Sequence, residues 1–152
     1  MGMMSTHEII RMANALGIDI DYSTLRFWQK RGLVPSPVRG PVSHGRGTRG
    51  YYDTSLIERI GFIREIQKTY SMGLEAIRAE LESIDRKNAE SGSADVAKPF
   101  RDRLEELQAA HENETRKTLI GVIARALGVK PDEIASIVVR KKDGQIVRLP
   151  AE

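Results

Sequence analysis

An acid-free run over residues 22–52 is the feature that most constrains the fold of this chain. Its thirty-one residues include six Arg or Lys and no Asp or Glu. Pro35, Pro37 and Pro41, with four glycines that end at Gly50, forbid a helix in the second half of the run. The run therefore joins a short helix to a basic loop, and together these two pieces can contact a polyanion in two places.

The amino-acid composition excludes several classes of functional site. The net charge is only +3, so the basic character is local. The absence of cysteine excludes disulfides, Fe–S clusters and thiolate metal sites. The three histidines are scattered, and no Gly-rich phosphate loop accompanies the carboxylates, so we expect no enzyme, metal or cofactor. With no apolar stretch near ~20 residues and no secretory signal, we expect a soluble cytoplasmic protein without a membrane partner.

The N-terminal residues predict a helix-turn-helix. Ser5 and Glu8 fit a capping box, and the helix that they begin is expected to end at Gly17. Asp21 is expected to cap a second helix over residues 22–31. Two short helices about five residues apart are typical of a helix-turn-helix.

The next segments predict a hairpin and two further helices. The loop after the second helix is expected to form a β-hairpin wing that ends at Tyr52. Asp53 is expected to cap a third helix over residues 54–70, and a fourth should run from Leu74 to about residue 84. The small polar residues 85–97 predict a linker.

A long helical stretch follows, to about Leu127. Its first apolar positions step by four and three residues, which is coiled-coil spacing. The pattern fails near Asn113 and then resumes, which suits either an antiparallel pairing or two helices broken there. The predicted dimerisation residues are Phe100, Leu104, Leu107, Leu119, Val122 and Ile123.

The C-terminus predicts one short helix and a hairpin. Pro131 opens a helical turn, and Asp143-Gly144 between β-branched runs is a strong hairpin signal. The expected fold class is thus mainly α: a winged helix-turn-helix domain over 5–84, the linker, and a dimerisation helix with a short helix and β-hairpin over 98–152.

Several segments together resemble the MerR family of transcriptional regulators. They are TLRFW at 24–28, RGLVP at 31–35, Tyr52, FI at 62–63 and LEAI at 74–77. The resemblance covers about residues 5–84. It departs from the family pattern at Phe27, where a tyrosine is usual, in a longer wing, and in SMG at 71–73 in place of Gly-Phe-Ser.

The resemblance implies a winged helix-turn-helix that binds double-stranded DNA as a homodimer. The second helix would enter the major groove with Thr24 and Arg26, and the wing would lie on the backbone through Arg46 or Arg49. The predicted DNA-binding residues are Ser23, Thr24, Arg26, Phe27, Lys30, Arg31, Arg39, Arg46, Arg49, Tyr51 and Tyr52. RNA polymerase or another protein is a further expected partner.

Purely structural roles are the alternative for some of these residues. Arg26 would be structural if it paired with Asp21 or Glu58, and Trp28 is expected to be core. Lys30 and Arg31 suit a helix C-terminus even without a ligand.

Two functions follow from the sequence. The first is a sequence-specific transcriptional regulator that binds a palindromic site as a homodimer. The alternative is a DNA-architectural or anchoring protein with the same winged fold, such as a recombination accessory factor or a phage packaging subunit.

Overall fold

The computed structural model describes residues 2–150 and is mainly helical, as the sequence predicts. It divides into two compact units, the first ending at Leu104 and the second beginning at Glu105. The first unit contains β1 (Met3–Ser5), α1 (Thr6–Ala15), α2 (Tyr22–Lys30), β2 (Val38–Pro41), β3 (Thr48–Asp53), α3 (Leu56–Tyr70) and α4 (Leu74–Ser91). Helix α5 (Lys98–Leu127) begins in this unit, and a 3₁₀ turn (Pro131–Glu133), β4 (Ser136–Arg140) and β5 (Ile146–Pro150) follow in the second.

The predicted helix starts are confirmed for α1 and α2. Ser5 and Glu8 form the capping box, in which Glu8 Oε2 accepts from Ser5 N at 2.8 Å. These hydrogen bonds lower the pKa of Glu8. Asp21 Oδ1 accepts from Thr24 N at 2.7 Å and caps α2. Gly32 follows α2 at φ 74°, a left-handed conformation that favours glycine and ends the helix.

Helix α3 is the centre of the first unit because it is buried around most of its circumference. A helix with apolar side chains on several faces belongs inside a core rather than on a surface. Its buried side chains are Leu56, Ile57, Ile60, Phe62, Ile63 and Ile66.

Two arginines of α3 hold the chain on both sides of α2. Arg64 Nε donates to the carbonyl of Asp19 at 2.7 Å, just before α2, and its guanidinium lies 5.0 Å from the ring centre of Trp28. Arg59 Nε donates to the carbonyl of Leu33 at 2.6 Å, just after α2. Arg59 also forms two hydrogen bonds to Asp85 of α4, at 2.7 and 3.1 Å. The orientation of α2 is therefore fixed by α3 at both ends.

A three-stranded antiparallel sheet with order β1-β3-β2 lies beside these helices. The hairpin of β2 and β3 was expected from the sequence, but β1 was not. Ser5 pairs with Tyr51, and Met3 with Asp53. Three residues are too few for an alternating pattern, so only the distant partner strand defines β1.

The start of α3 and the end of α4 differ from the prediction. Helix α3 begins at Leu56, because Asp53 accepts from Ser55 N and closes a turn ahead of the helix. Helix α4 continues to Ser91, which leaves only residues 92–97 outside a helix where the sequence predicted a linker over 85–97. Polar residues on a solvated helix carry no apolar stripe, so periodicity missed this extension.

Helix α5 is continuous, so the alternative of two helices broken near Asn113 is wrong. Its first turn packs inside the first unit. Phe100 is 7% exposed and its ring centre lies 5.3 Å from that of Phe62. Arg103 donates two hydrogen bonds to Glu80 of α4, at 2.6 and 2.8 Å, and these bonds lower the pKa of Glu80.

In the second unit the predicted C-terminal hairpin is confirmed. Strands β4 and β5 are antiparallel, and Gly144 in the connecting turn has φ 87°. Ile120 and Ala124 are the buried side chains of α5 in this unit. Within residues 2–150, no helix combines the length and apolarity needed to cross a bilayer.

We expect Arg59→Ala to destabilise the protein, because it removes hydrogen bonds to a carbonyl and a carboxylate from a side chain that is 16% exposed. Hydrogen bonds of charged groups contribute about 1.5–3 kcal/mol, so a loss of about that size is expected in urea unfolding. Lys68→Ala, at an exposed position of the same helix, is the control and should change stability little. Equal stability of both variants would show that Arg59 does not fix the end of α2.

Candidate nucleic-acid interface

A cleft of about 280 Å³ lies between α2 and the β2–β3 hairpin. Three predicted DNA-binding cations line it: Arg26 and Lys30 from α2, and Arg39 from β2. No Asp or Glu is among its lining residues. A concave site that is lined by positive charges without acids focuses a positive potential, which suits a phosphate or another anion.

Arg26 is exposed and held by a neighbour on its own helix. Its Nη1 donates to the hydroxyl of Tyr22 at 3.1 Å, one helical turn earlier. Within residues 2–150 no ion pair joins Arg26 to Asp21 or Glu58, which were the structural alternatives. The guanidinium thus keeps its charge available in the cleft.

Tyr52 lines the inner side of the same cleft, although the residue is only 4% exposed. Burial raises the pKa of its phenol, Tyr22 adds to the rise, and Arg26 opposes it. The phenol therefore remains protonated well above neutral pH. A contact to a ligand through Tyr52 would be limited to its hydroxyl, because the ring belongs to the core.

The hairpin arginines point in different directions. Arg39 pairs with Gly50, and Gly40 pairs with Arg49. Since successive residues of a strand project to opposite faces, Arg39 and Arg49 lie on opposite faces of the hairpin. Only Arg39 lines the cleft. A Cβ on Gly50 would lie 2.9 Å from the Cβ of Pro37, so this close approach requires glycine.

The other predicted DNA-binding residues do not line the cleft. The guanidinium of Arg31, the residue that follows α2, lies 5.3 Å from the ring centre of Phe27, and both side chains are exposed. Tyr51 donates its hydroxyl hydrogen bond to the carbonyl of Pro41 at 2.7 Å. The remaining ones are Ser23 and Thr24 in the first turn of α2, Arg46 in the exposed loop at the hairpin tip, and Arg49.

Sequence reasoning missed several residues of this site. Tyr22 is four residues before Arg26, a spacing that places two side chains together on a helix and signals their contact. Thr6, Gln29 and Pro37 also line the cleft, but they come from separate segments and carried no such signal. Trp28, expected to be core, is 1% exposed.

The predicted dimerisation residues differ in how far their side chains are exposed. Phe100 is already buried against Phe62, which leaves little of its side chain for a partner subunit. Val122 is 57% exposed. The others, Leu104, Leu107, Leu119 and Ile123, are partly exposed along α5. Within the described residues, no group of three His, Asp or Glu is placed to hold a metal ion.

Comparison with known proteins gives one match. The sequence model of the MerR HTH family of regulatory proteins matches residues 8–84, which include α2, the hairpin and α4 up to its last buried residue. No curated protein and no solved structure matches the chain. The matched segment contains every side chain of the basic cleft except that of Thr6. On this match over half of its length, the chain belongs to the MerR family of helix-turn-helix regulatory proteins, which bind DNA.

Proposed function

We propose that this protein is a sequence-specific transcriptional regulator that binds a palindromic DNA site as a homodimer. The observation that carries the proposal is the cleft whose three cations come from α2 and β2 with no acid among its lining residues. The family assignment supports regulation over the architectural alternative.

In this proposal α2 enters the major groove and the β2–β3 hairpin acts as the wing. Arg26 is exposed on α2, and its hydrogen bond to Tyr22 restricts the conformations of its side chain. Arginine commonly forms two hydrogen bonds with guanine. Lys30 and Arg39, on the two walls of the cleft, are placed for phosphate between helix and hairpin. Phosphate contacts set the register, while α2 reads the sequence.

The dimer contact is proposed on the part of α5 that lies in the second unit. Leu119 and Val122 lie on an open face of α5 with Thr115, Thr118 and His111. This face is distinct from the buried side chains Ile120 and Ala124, so a second copy can cover it. A two-fold dimer accounts for a palindromic operator with half-sites spaced by the helical repeat.

The groove contact is tested with Arg26→Ala on a site selected from random DNA. We expect a loss of about 1–3 kcal/mol in binding free energy, because one bidentate base contact is removed. Tyr22→Phe should weaken binding less, because the Arg26 guanidinium remains and only the hydrogen bond that orients it is lost. Fluorescence anisotropy measures both, with exposed Arg86→Ala of α4 as control. Wild-type affinity of Arg26→Ala for the selected site would exclude this residue from base recognition.

The wing contact is tested by salt dependence. Arg39→Ala should reduce the slope of log K against log salt by about 0.9, because one phosphate contact is lost. Arg49→Ala is the matched comparison, since Arg49 is an exposed arginine on the opposite face of the hairpin. We expect it to change the slope less. An unchanged slope for Arg39→Ala would show that the cleft does not hold phosphate.

The dimer contact is tested with Val122→Glu. Val122 is exposed in the protomer, so the fold should survive, whereas a charge buried between two copies is strongly unfavourable. Light scattering after size exclusion should show half the mass of the wild type. Val138→Glu, at an equally exposed valine of β4, is the control and should leave the dimer intact. If Val122→Glu is still a dimer, the dimer interface does not include Val122.

A further inference from the structure

A second cleft, of about 190 Å³, lies in the first unit away from the cations of the basic cleft. It is formed by the end of β3, the start of α3, the last turns of α4, residues 92–97 and the start of α5. Its volume is below the about 300 Å³ at which pockets for drug-sized molecules begin. It is still roughly six times the volume that one water molecule occupies in the liquid.

An unsatisfied hydrogen-bond acceptor lies in this cleft. Asn88 lines it from α4, and its Oδ1 is buried without a hydrogen-bond partner. Among the described residues that are not exposed, Asn88 Oδ1 is the one buried side-chain oxygen or nitrogen that has no hydrogen-bond partner. Buried polar atoms are nearly always hydrogen-bonded to protein or water, so this acceptor is free to take a hydrogen bond from a ligand that enters the cleft.

The charges near Asn88 favour a positive donor. Asp53 and Asp85 line the cleft together with Arg59, which leaves one negative charge in excess. Both oxygens of Asp85 already accept from Arg59, at 2.7 and 3.1 Å. Asp53 accepts from Ser55 N, and the hydrogen bonds of Ser55 lower its pKa, so it remains an anion. An anionic ligand would be repelled, and an ammonium group would be attracted.

Most of the remaining wall of the cleft is apolar. Tyr52, Leu56 and Phe100 are each less than 10% exposed and form part of its wall. Aromatic walls suit an apolar group and also attract a cation.

We propose that this cleft binds a small amine whose nitrogen donates to Asn88 Oδ1 and whose apolar part packs on Tyr52 and Phe100. Tyr52 lines this cleft and also the basic cleft between α2 and the hairpin. Arg59, in the amine cleft, also holds the carbonyl that follows α2. The amine is therefore an effector of DNA binding, a part of the proposal that rests on the proposed function.

Binding is tested on the full chain without DNA, by amide NMR shifts during titration with benzylamine. Benzyl alcohol and benzoate have a similar size but no positive charge. We expect saturable shifts of the Asn88 and Phe100 signals with a Kd of about 1 mM or tighter for benzylamine, and weaker or no binding of the other two. Absence of saturable shifts with benzylamine, or preferential binding of benzoate, would overturn the site.

The role of the acceptor is tested with Asn88→Leu, which keeps the number and branching of the side-chain heavy atoms and replaces both polar atoms by methyl groups. This variant should have a higher Tm than the wild type without ligand and bind benzylamine at least tenfold more weakly. Asn113→Leu, at an exposed position of α5, is the control for an added leucine and should bind as the wild type does. If Asn88→Leu binds benzylamine equally well, Asn88 is not the acceptor and the proposal fails.

The effector role has a separate readout. The affinity for the selected DNA site is measured with and without saturating benzylamine, in the wild type and in Asn88→Leu. A change in the wild type that the variant lacks supports coupling through Tyr52. If benzylamine binds but the DNA affinity is unchanged, the cleft is an amine site, but the amine is not an effector of DNA binding. Failure to bind any DNA would contradict the proposed function and leave the NMR result intact.

Discussion

The placement of α2 depends on α3. Arg64 and Arg59 of α3 donate to backbone carbonyls on either side of α2, at Asp19 and Leu33. The first carbonyl lies three residues before α2 and the second lies three residues after it. Trp28 of α2 is buried with its ring against the Arg64 guanidinium of α3, and the two arginines hold the chain on either side of α2. The residues that face solvent from α2, and with them the cleft, depend on this arrangement.

Sequence predicted those parts of the fold whose determinants are local. The capping box at Ser5, the cap at Asp21 and the turn before Gly144 each depend on residues a few positions apart, and the structure contains all of them. The parts that were missed depend on distant partners or lack a pattern. Strand β1 exists because β3 pairs with it, and the last turns of α4 are polar and solvated. Neither leaves a periodic signal in the sequence.

The same distinction applies to the site. The acid-free run drew attention to α2 and the hairpin because the absence of acids is visible without knowing the fold, and the structure brings Arg26, Lys30 and Arg39 to one cleft. The difference between Arg39 and Arg49 was not visible, since it depends on the register of β2 against β3. A loop rich in proline and glycine does not specify that register, and a shift of one residue would exchange the two faces.

The start of α5 changes the interpretation of the predicted linker. Coiled-coil spacing assigned Phe100 to a dimer seam, but it packs on Phe62, and Arg103 is bound to Glu80. Residues 92–97 therefore connect α4 to the start of α5 within one compact unit. Residues 92–97 also contribute Val96 to the amine cleft. A ligand that contacts Val96 and Tyr52 acts on the unit that carries α2, so the regulation proposed for this protein requires no separate effector domain.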